Sequence, residues 1–572
     1  MRAALGARRR RFGDRFGEPL LIALLLALVL AVAALPMARL LLEGFLPGGS
    51  ADLAVAKRVL SAPVTWRAAG NSLALSAGAT LVALAIGAPA ALLVALTDLR
   101  GKAALVFCFL LPMMIPAQIA TIAWIALVGP GSALLKALDL APPPGTGNPL
   151  YSSLGIMLVM GVEHSAVVFL TLRAGARSLP GDAIEAAEVA GASRAALFAR
   201  IILPLLTPSL AAGCVLAFVS SLGNFGVPAL LGIPAGIITL PTLIYQRLAG
   251  FGPAVLSDVA VLSLLTGAIA GSGLALQSWI LSRRSVRPVR VGARPHPLAL
   301  GGWRLPAELA CWSLLAIILL LPLLALVATS LVRAYGLPLN SDTMTFAQYR
   351  TVFGFDATAR AFRNSLLLAG GAALLLGFAS VPFGYVLAWR GSRLLRLAAL
   401  LAELPYALPG LVVAIAAILT FLKPLPLLGI SIYGTLWIIF VAYVARFFSL
   451  ALRPVLAAYA SLNRSLEEAA EIAGAGLFDR LRRVILPLIA PVAVAGGLLV
   501  FLTALNELTV SILLWSSGRE TLGVIVYSLQ EGGSAPLAAS VSVLAILVIL
   551  ALMLAASALA RRLPAGTLPW QA

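Results

Sequence analysis

Long apolar runs constrain this chain more than any other feature of its sequence. Many runs of about 20 residues or more contain few or no charged side chains, as in the stretch 20–42. A helix of that length crosses a bilayer, and inside lipid only helices or closed barrels satisfy every backbone hydrogen bond. Hydrophobic residues make up 61% of the 572 residues and charged residues only 11%. The sequence lacks the short alternating segments of a barrel, so we predict an all-α membrane protein.

The apolar runs predict about twelve transmembrane helices. Their ranges are 20–42, 70–97, 103–128, 151–172, 203–222, 255–281, 307–332, 362–389, 395–421, 431–450, 487–506 and 536–560. Arg and Lys are concentrated before the first span, after the twelfth, and in the connections 2–3, 6–7 and 8–9. Because short basic loops stay in the cytoplasm, both termini are predicted to be cytoplasmic. We therefore interpret the net charge of +19 as a topology signal, and expect no nucleic-acid partner.

The two halves of the chain are copies of each other. GNSLALSAGATLVALAIG from Gly70 corresponds to RNSLLLAGGAALLLGFAS from Arg363, and SSLGNFGVPALL corresponds to LTALNELTVSILL. Six spans is an even number, so both copies enter the membrane with the same orientation, as a parallel duplication. The predicted organisation is a basic N-terminus 1–19, a first repeat 20–281, a flexible Arg- and Pro-rich linker 282–304, a second repeat 305–560 and a cytoplasmic tail 561–572.

One charged segment interrupts the apolar pattern in both copies. IEAAEVAGASRAALFARIILPLL, residues 184–206, and EEAAEIAGAGLFDRLRRVILPLI, residues 467–489, each lie between the fourth and fifth spans of their repeat. Good helix formers precede a glycine in both, which predicts two short cytoplasmic helices joined by a bend. A surface helix without a partner has a similar amphipathic pattern. Two copies at equivalent positions favour two equivalent docking partners.

This segment resembles the EAA loop of the membrane subunits of binding-protein-dependent ABC importers. The matching residues are Glu185, Ala186, Ala187 and Gly191 in loop 180–204 and Glu468, Ala469, Ala470 and Gly474 in loop 463–487. The resemblance implies two type I importer permease repeats, each with a coupling helix seated in one of two copies of a cytoplasmic ABC ATPase. The chain is most similar to the fused permeases for ferric iron, thiamine and 2-aminoethylphosphonate. These imply a bacterial inner membrane location and an external solute-binding protein.

The sequence itself contains no phosphate-binding loop. Gly101-Lys102 is followed by Ala103 where Ser or Thr is required. We therefore expect this chain to be no enzyme and to bind no cofactor, with ATP acting on the partner ATPase. The three cysteines lie in apolar runs and the two histidines are far apart, so we expect no metal site either.

Other functions remain open at this stage. A secondary transporter of the major facilitator type also has twelve spans in two parallel halves, but does not explain two EAA loops. An intramembrane enzyme needs clustered catalytic groups, whereas His164 and Ser165 are adjacent and point to different helix faces. Among importers we expect ferric iron as the solute, with 2-aminoethylphosphonate and thiamine as alternatives. The Gly- and Pro-containing segment from Gly223 is interpreted as an external gate, a binding-protein contact or an ordinary loop.

Two charged residues lie deep inside predicted spans. Glu163 is near the middle of the fourth span, and Arg446 is at the matching depth of the tenth. A charge at the centre of a bilayer is costly, so both are predicted to face the bundle interior or a wet cavity. They are expected to pair with each other, or Arg446 with Glu403 of the ninth span. Their role is either a polar constriction on the solute path or a structural ion pair.

Overall fold

Helices form nearly all of the described part of the protein. The computed structural model describes residues 17–47, 53–250, 254–283, 297–391, 393–424 and 429–560. Within them, ten helices are long and apolar enough to cross a membrane, and two further pairs are bent at a short break. Counting each bent pair as one span gives twelve, so the predicted all-α fold in two membrane repeats is confirmed.

The twelve spans are numbered here in chain order. Those of the first repeat are Gly17–Phe45, Pro63–Leu96, the pair Lys102–Met114 and Ala117–Leu127, Ser153–Arg177, Arg194–Leu222 and Val255–Leu276. Those of the second repeat are Gly301–Ser330, Asp356–Arg390, the pair Arg393–Ala407 and Gly410–Phe421, Leu436–Ser461, Leu477–Leu505 and Ala535–Ala558. Most of the predicted basic N-terminus, residues 284–296 of the linker and the tail 561–572 lie outside the described residues.

The third and ninth spans are bent, whereas the sequence pattern predicted two uninterrupted helices. Their two halves meet at 100° in the third span and at 114° in the ninth. Each break lies just before a proline, Pro116 or Pro409, which has no N–H to donate to the preceding turn. The residue before a proline prefers an extended backbone, and Ile115 has φ −88° and ψ 129°. Both bends lie in the wall of a central cavity.

The second, fourth and fifth spans of each repeat pack together as a three-helix unit. Small residues allow this close approach. A Cβ on Gly87 would lie 2.4 Å from the carbonyl oxygen of Ser165, and one on Gly161 would lie 2.4 Å from the Cβ of Val82. Lipid tails are as apolar as the side chains, so close packing rather than hydrophobic burial holds such helices together.

The first span of each repeat packs against the other repeat. Leu35–Phe45, the end of the first span, contacts Gly410–Phe421 of the ninth. In the same way Leu321–Ser330, the end of the seventh span, contacts Ala117–Leu127 of the third. This exchange interlocks the two repeats around a shared interface.

The end of the linker is attached to the second span rather than flexible. The N–H of Leu298 donates to the carbonyl of Leu96 at 2.7 Å, and the N–H of Leu300 donates to the Asp98 carboxylate at 3.0 Å. The Leu300 bond holds the pKa of Asp98 below its usual value, because a donor favours the charged carboxylate. The prediction of a flexible linker is therefore wrong for its last residues.

Candidate functional site

The loop between the fourth and fifth spans contains a helix that ends in a sharp turn. Helix Gly181–Val189 is followed by Gly191, whose φ of +76° favours a residue without a Cβ. The N–H of Gly191 donates to the carbonyl of Glu188 at 2.9 Å, and that of Ala192 donates to Ala187 at 3.0 Å. These two bonds form a Schellman cap. A second short helix, Arg194–Leu197, follows the turn and forms the start of the fifth span.

The loop between the tenth and eleventh spans has the same backbone. Helix Ser465–Ile472 is followed by Gly474 with φ +80°. The N–H of Gly474 donates to Glu471 at 2.9 Å, and that of Ala475 donates to Ala470 at 3.0 Å. The bend that the sequence predicted at each glycine is therefore present in both loops. We call them the first and second docking loops, residues 180–204 and 463–487.

Most of the predicted docking residues are accessible. Glu185, Ala186, Gly191, Glu468, Ala469 and Gly474 are exposed, and Ala187 and Ala470 are partly buried. Beside the acids, each helix presents one apolar side chain to solvent, because Val189 is 90% and Ile472 is 88% exposed. Each loop thus offers an apolar tip flanked by carboxylates, the surface that a complementary groove on another protein would cover.

The second docking loop also contains a buried charge cluster. Glu467 is fully buried and accepts a hydrogen bond from the Tyr385 hydroxyl at 2.9 Å. The same carboxylate pairs with Arg480 at 3.1 Å and with Arg390 at 3.4 Å. Arg390 in turn pairs with Glu18 of the first span at 2.9 Å. Sequence reasoning missed this cluster because its members come from three distant segments.

A cavity of about 530 Å³ lies at the interface between the two repeats. Its wall combines the bends of the third and ninth spans with the fourth, fifth, tenth and eleventh spans. The wall extends to Leu274 and Arg453, which lie in the halves of their spans nearer the docking loops. The cavity therefore extends from the middle of the bundle towards the docking-loop end.

Glu163 and Arg446 both line this cavity but do not pair with each other. Arg446 pairs with Glu507, just after the eleventh span, at 3.3 Å, and Glu163 accepts a hydrogen bond from the side chain of Asn224, just after the fifth span, at 2.8 Å. The expectation of a pair across the interface is therefore wrong. Each residue finds its partner in its own repeat, because the fifth span packs directly on the fourth and the eleventh on the tenth.

The second expected partner of Arg446 is also paired elsewhere. Glu403 lies 3.6 Å from Arg453, with side chains 43% and 58% exposed. Arg453 lies about two helical turns beyond Arg446, on the docking-loop side, and so comes within reach of Glu403. An exposed pair of this kind contributes little to stability.

Asn224 and Glu507 are functional candidates that sequence reasoning missed. Asn224 follows Glu163 by 61 residues, and Glu507 follows Arg446 by the same 61. Each side chain also accepts the N–H three residues further on, at 3.1 Å in the first repeat and 3.0 Å in the second. The duplicated segments SSLGNFGVPALL and LTALNELTVSILL already aligned these two positions. They have the same geometry but a different charge.

Crossed contacts between the repeats lie in the cavity wall at the end away from the docking loops. The side-chain amide of Asn506, in the second repeat, donates to the carbonyl of Met114 in the first at 2.6 Å. Gly223 occupies the position equivalent to Asn506, and a Cβ there would lie 3.3 Å from the Cβ of Pro409 in the second repeat. The fifth and eleventh spans thus each end against the proline bend of the other repeat.

The segment from Gly223 is not an ordinary exposed loop. Phe225, Val227 and Leu231 are fully buried, and helix Leu240–Leu248 follows with Thr239 as its capping residue. The two remaining interpretations, an external gate and a binding-protein contact, stay predictions.

Comparison with known proteins gives a consistent result over most of the chain. The profile of the family described as "Binding-protein-dependent transport system inner membrane component" matches residues 83–336 and 380–567. A probable ABC transporter permease protein of Sinorhizobium fredii is 26% identical over 91% of this chain and 90% of its own length. A ferric transport system permease protein of Actinobacillus pleuropneumoniae is 24% identical over 87% of this chain and 72% of its own. A probable molybdenum ABC transporter permease protein of Haloferax volcanii is 30% identical over 34% of this chain and 70% of its own.

Proposed function

Because the chain belongs to the family of inner membrane components of binding-protein-dependent transport systems, we propose that it forms the solute pathway of an ABC importer and couples it to a separate ATPase. The family consists of multi-pass transport subunits that work with a solute-binding protein. Two copies of the ATPase would dock on the two docking loops. Both termini would then lie with these loops in the cytoplasm.

One observation carries this proposal: the two docking loops repeat the same helix, left-handed glycine and short helix at equivalent places in the two repeats. Gly191 and Gly474 have φ values of +76° and +80°. A Cβ built on either would contact nothing within 4 Å, so the glycines are required by backbone conformation rather than by packing. An exposed elbow reproduced twice supports two partners of the same shape.

The cavity between the repeats supports the pathway part of the proposal. It lies on the interface, is lined by both copies, and is crossed by contacts between the repeats at the end away from the docking loops. A movement of the repeats that separated Asn506 from Met114 would open that end. ATP-driven movement of the docking loops would supply such a displacement through the spans that adjoin them.

For the solute we propose ferric iron, with 2-aminoethylphosphonate, thiamine or another small solute as the alternatives. The full-length similarity to a ferric permease supports iron, while relatives named for other solutes keep the alternatives open. Among the described residues there is no group of three His, Cys, Asp or Glu able to hold a metal ion. This favours a pathway that binds its solute weakly, after delivery by a binding protein, over a site that holds a metal ion tightly.

Charge reversal of the two exposed acids tests the docking role. Glu185→Lys with Glu468→Lys is expected to leave the chain in the membrane but abolish co-purification of the ATPase and solute uptake. Asp342→Lys, an exposed acid in the segment after the seventh span, is the matched control. We expect the two single variants to be unequal, because Glu468 is paired with Arg464 at 3.2 Å. Normal ATPase binding and uptake by the double variant would refute the docking role.

A further inference from the structure

The two sides of the cavity differ in charge balance. On the second-repeat side, the guanidinium of Arg446 faces the carboxylate of Glu507, so the two charges cancel. That carboxylate also accepts the N–H of Val510 and the hydroxyl of Thr509, while Arg446 donates to the carbonyl of Leu408. Arg453, further along the same wall, pairs with Glu403, so this side has no unpaired charge to offer a solute.

The first-repeat side presents a carboxylate without a countercharge. Glu163 is bonded through Oε2 to Asn224, a neutral partner. Among the described residues no cationic side chain forms an ion pair with Glu163, and no donor is bonded to its Oε1. A buried charge at membrane depth normally has a partner because the desolvation cost is otherwise uncompensated.

Further polar atoms in the same cavity wall have no protein partner. Gln118, 1% exposed, has neither its amide nitrogen nor its amide oxygen hydrogen-bonded, and the side-chain oxygen of Asn506 and Nε2 of His164 are also without partners. Buried polar groups are almost always hydrogen-bonded in native proteins. Four such atoms belong to three side chains in this one cavity wall, so a ligand filling the cavity would supply the partners they lack.

We infer that Glu163, with the side-chain oxygens of Gln118 and Asn506, forms a solute-binding site for a cationic group inside the cavity. A protonated amine donates up to three N–H bonds, which carboxylate and amide oxygens accept. The same oxygens are ligands for hard metal cations. The two arginines described in the cavity wall, Arg446 and Arg453, are already paired with Glu507 and Glu403, so an oxyanion finds no unpaired positive charge there. The site therefore takes a solute with a cationic group in preference to an oxyanion, which extends the proposed function by naming the substrate class.

Binding to the intact complex tests this site. The full chain with its ATPase in lipid nanodiscs is titrated by calorimetry with thiamine as an organic cation, with Fe³⁺ buffered by citrate as a metal cation, and with molybdate as an oxyanion. Citrate alone is the blank. We expect at least one of the two cations to bind and molybdate not to bind. The titrations with thiamine and with iron distinguish an organic cation from a metal cation. Both are made on the wild-type protein.

Two variants then locate the site. Glu163→Gln is expected to weaken cation binding by roughly tenfold or more, the loss typical of one charge-assisted hydrogen bond. The matched control Glu43→Gln removes a carboxylate of the same repeat that is bonded to Ser257 outside the cavity, and is expected to bind as wild type does.

Three results would overturn the inference: no binding of either cation at millimolar concentration, equal binding by Glu163→Gln, or tighter binding of molybdate. ATPase co-purification, measured on the same samples, separates this failure from a failure of the proposed function.

Discussion

The two docking loops have the same backbone but opposite chemistry in their interiors. In the first loop Ile184 and Leu197 are buried, with 4% and 2% of their surface exposed. In the second loop the equivalent positions hold Glu467 and Arg480, which are 0% and 4% exposed and lie 3.1 Å apart. The two copies thus hold buried apolar side chains and a buried ion pair at the same positions of the fold.

The two loops are held to the membrane helices by different kinds of interaction. Apolar burial is non-directional and stabilises the first loop through local packing. The carboxylate of Glu467 instead joins Arg480 of the loop to Arg390 of the eighth span, which also pairs with Glu18 of the first. We expect movements of the second loop to be transmitted to these two spans more directly than movements of the first.

The largest effect is expected from breaking the ion pair on one side only. Arg480→Ala leaves the fully buried Glu467 with Arg390 as its remaining cation, and should destabilise the protein by about 3–5 kcal/mol. The measurement is unfolding by SDS titration in mixed micelles. Arg483→Ala is the control, because Arg483 is 77% exposed and pairs with Asp479 at the surface. Equal, small effects of both variants would mean that the cluster does not hold the loop.

The first loop should respond to loss of volume rather than charge. Leu197→Ala removes a buried side chain, and such substitutions cost roughly 2–5 kcal/mol. We expect the lower end of this range, because a loop at the membrane surface can partly collapse onto the gap. The control is Val189→Ala at a 90% exposed position, which should leave the SDS midpoint unchanged. A Leu197→Ala midpoint equal to wild type would contradict the apolar anchoring of this loop.

A smaller effect is expected at the outer edge of the cluster. Glu18→Gln removes one carboxylate from Arg390, but the Glu18 side chain is 28% exposed and water can replace part of the interaction. We expect a loss of less than about 1 kcal/mol, which should shrink further in high salt. A loss as large as that of Arg480→Ala would show that the first span, and not the loop, is the main anchor.

Copying the first loop into the second should have the smallest effect. Glu467→Ile with Arg480→Leu exchanges a buried ion pair for the apolar pair of the first loop, a replacement that is often neutral or stabilising. We expect stability within about 1 kcal/mol of wild type, well above that of Arg480→Ala alone. Unfolding and ATPase coupling measured together separate the two contributions. If stability is kept and coupling falls, the ion pairs transmit movement.

Much of the fold and part of the candidate site were predictable from local sequence. The predicted spans and the pattern of each loop with Gly191 or Gly474 depend on runs or spacings within a few tens of residues. The duplication is visible as matching segments about 280 residues apart. The bends at Pro116 and Pro409 had a local signal as well, since proline inside an apolar run breaks helical hydrogen bonding. The long apolar runs masked it.

The sequence by itself determined that this chain crosses a membrane about twelve times in two like-oriented copies and repeats one exposed elbow, because hydropathy and helix termination are local properties. Only the tertiary structure decided which charges meet. Arg446 pairs with Glu507 rather than with Glu163, and Glu467 is buried while its neighbour Glu468 is exposed. Such choices depend on which helices touch and how each is rotated about its axis. Helices in lipid pack through small residues and close contact. A single sequence does not show which neighbouring helix each small residue faces.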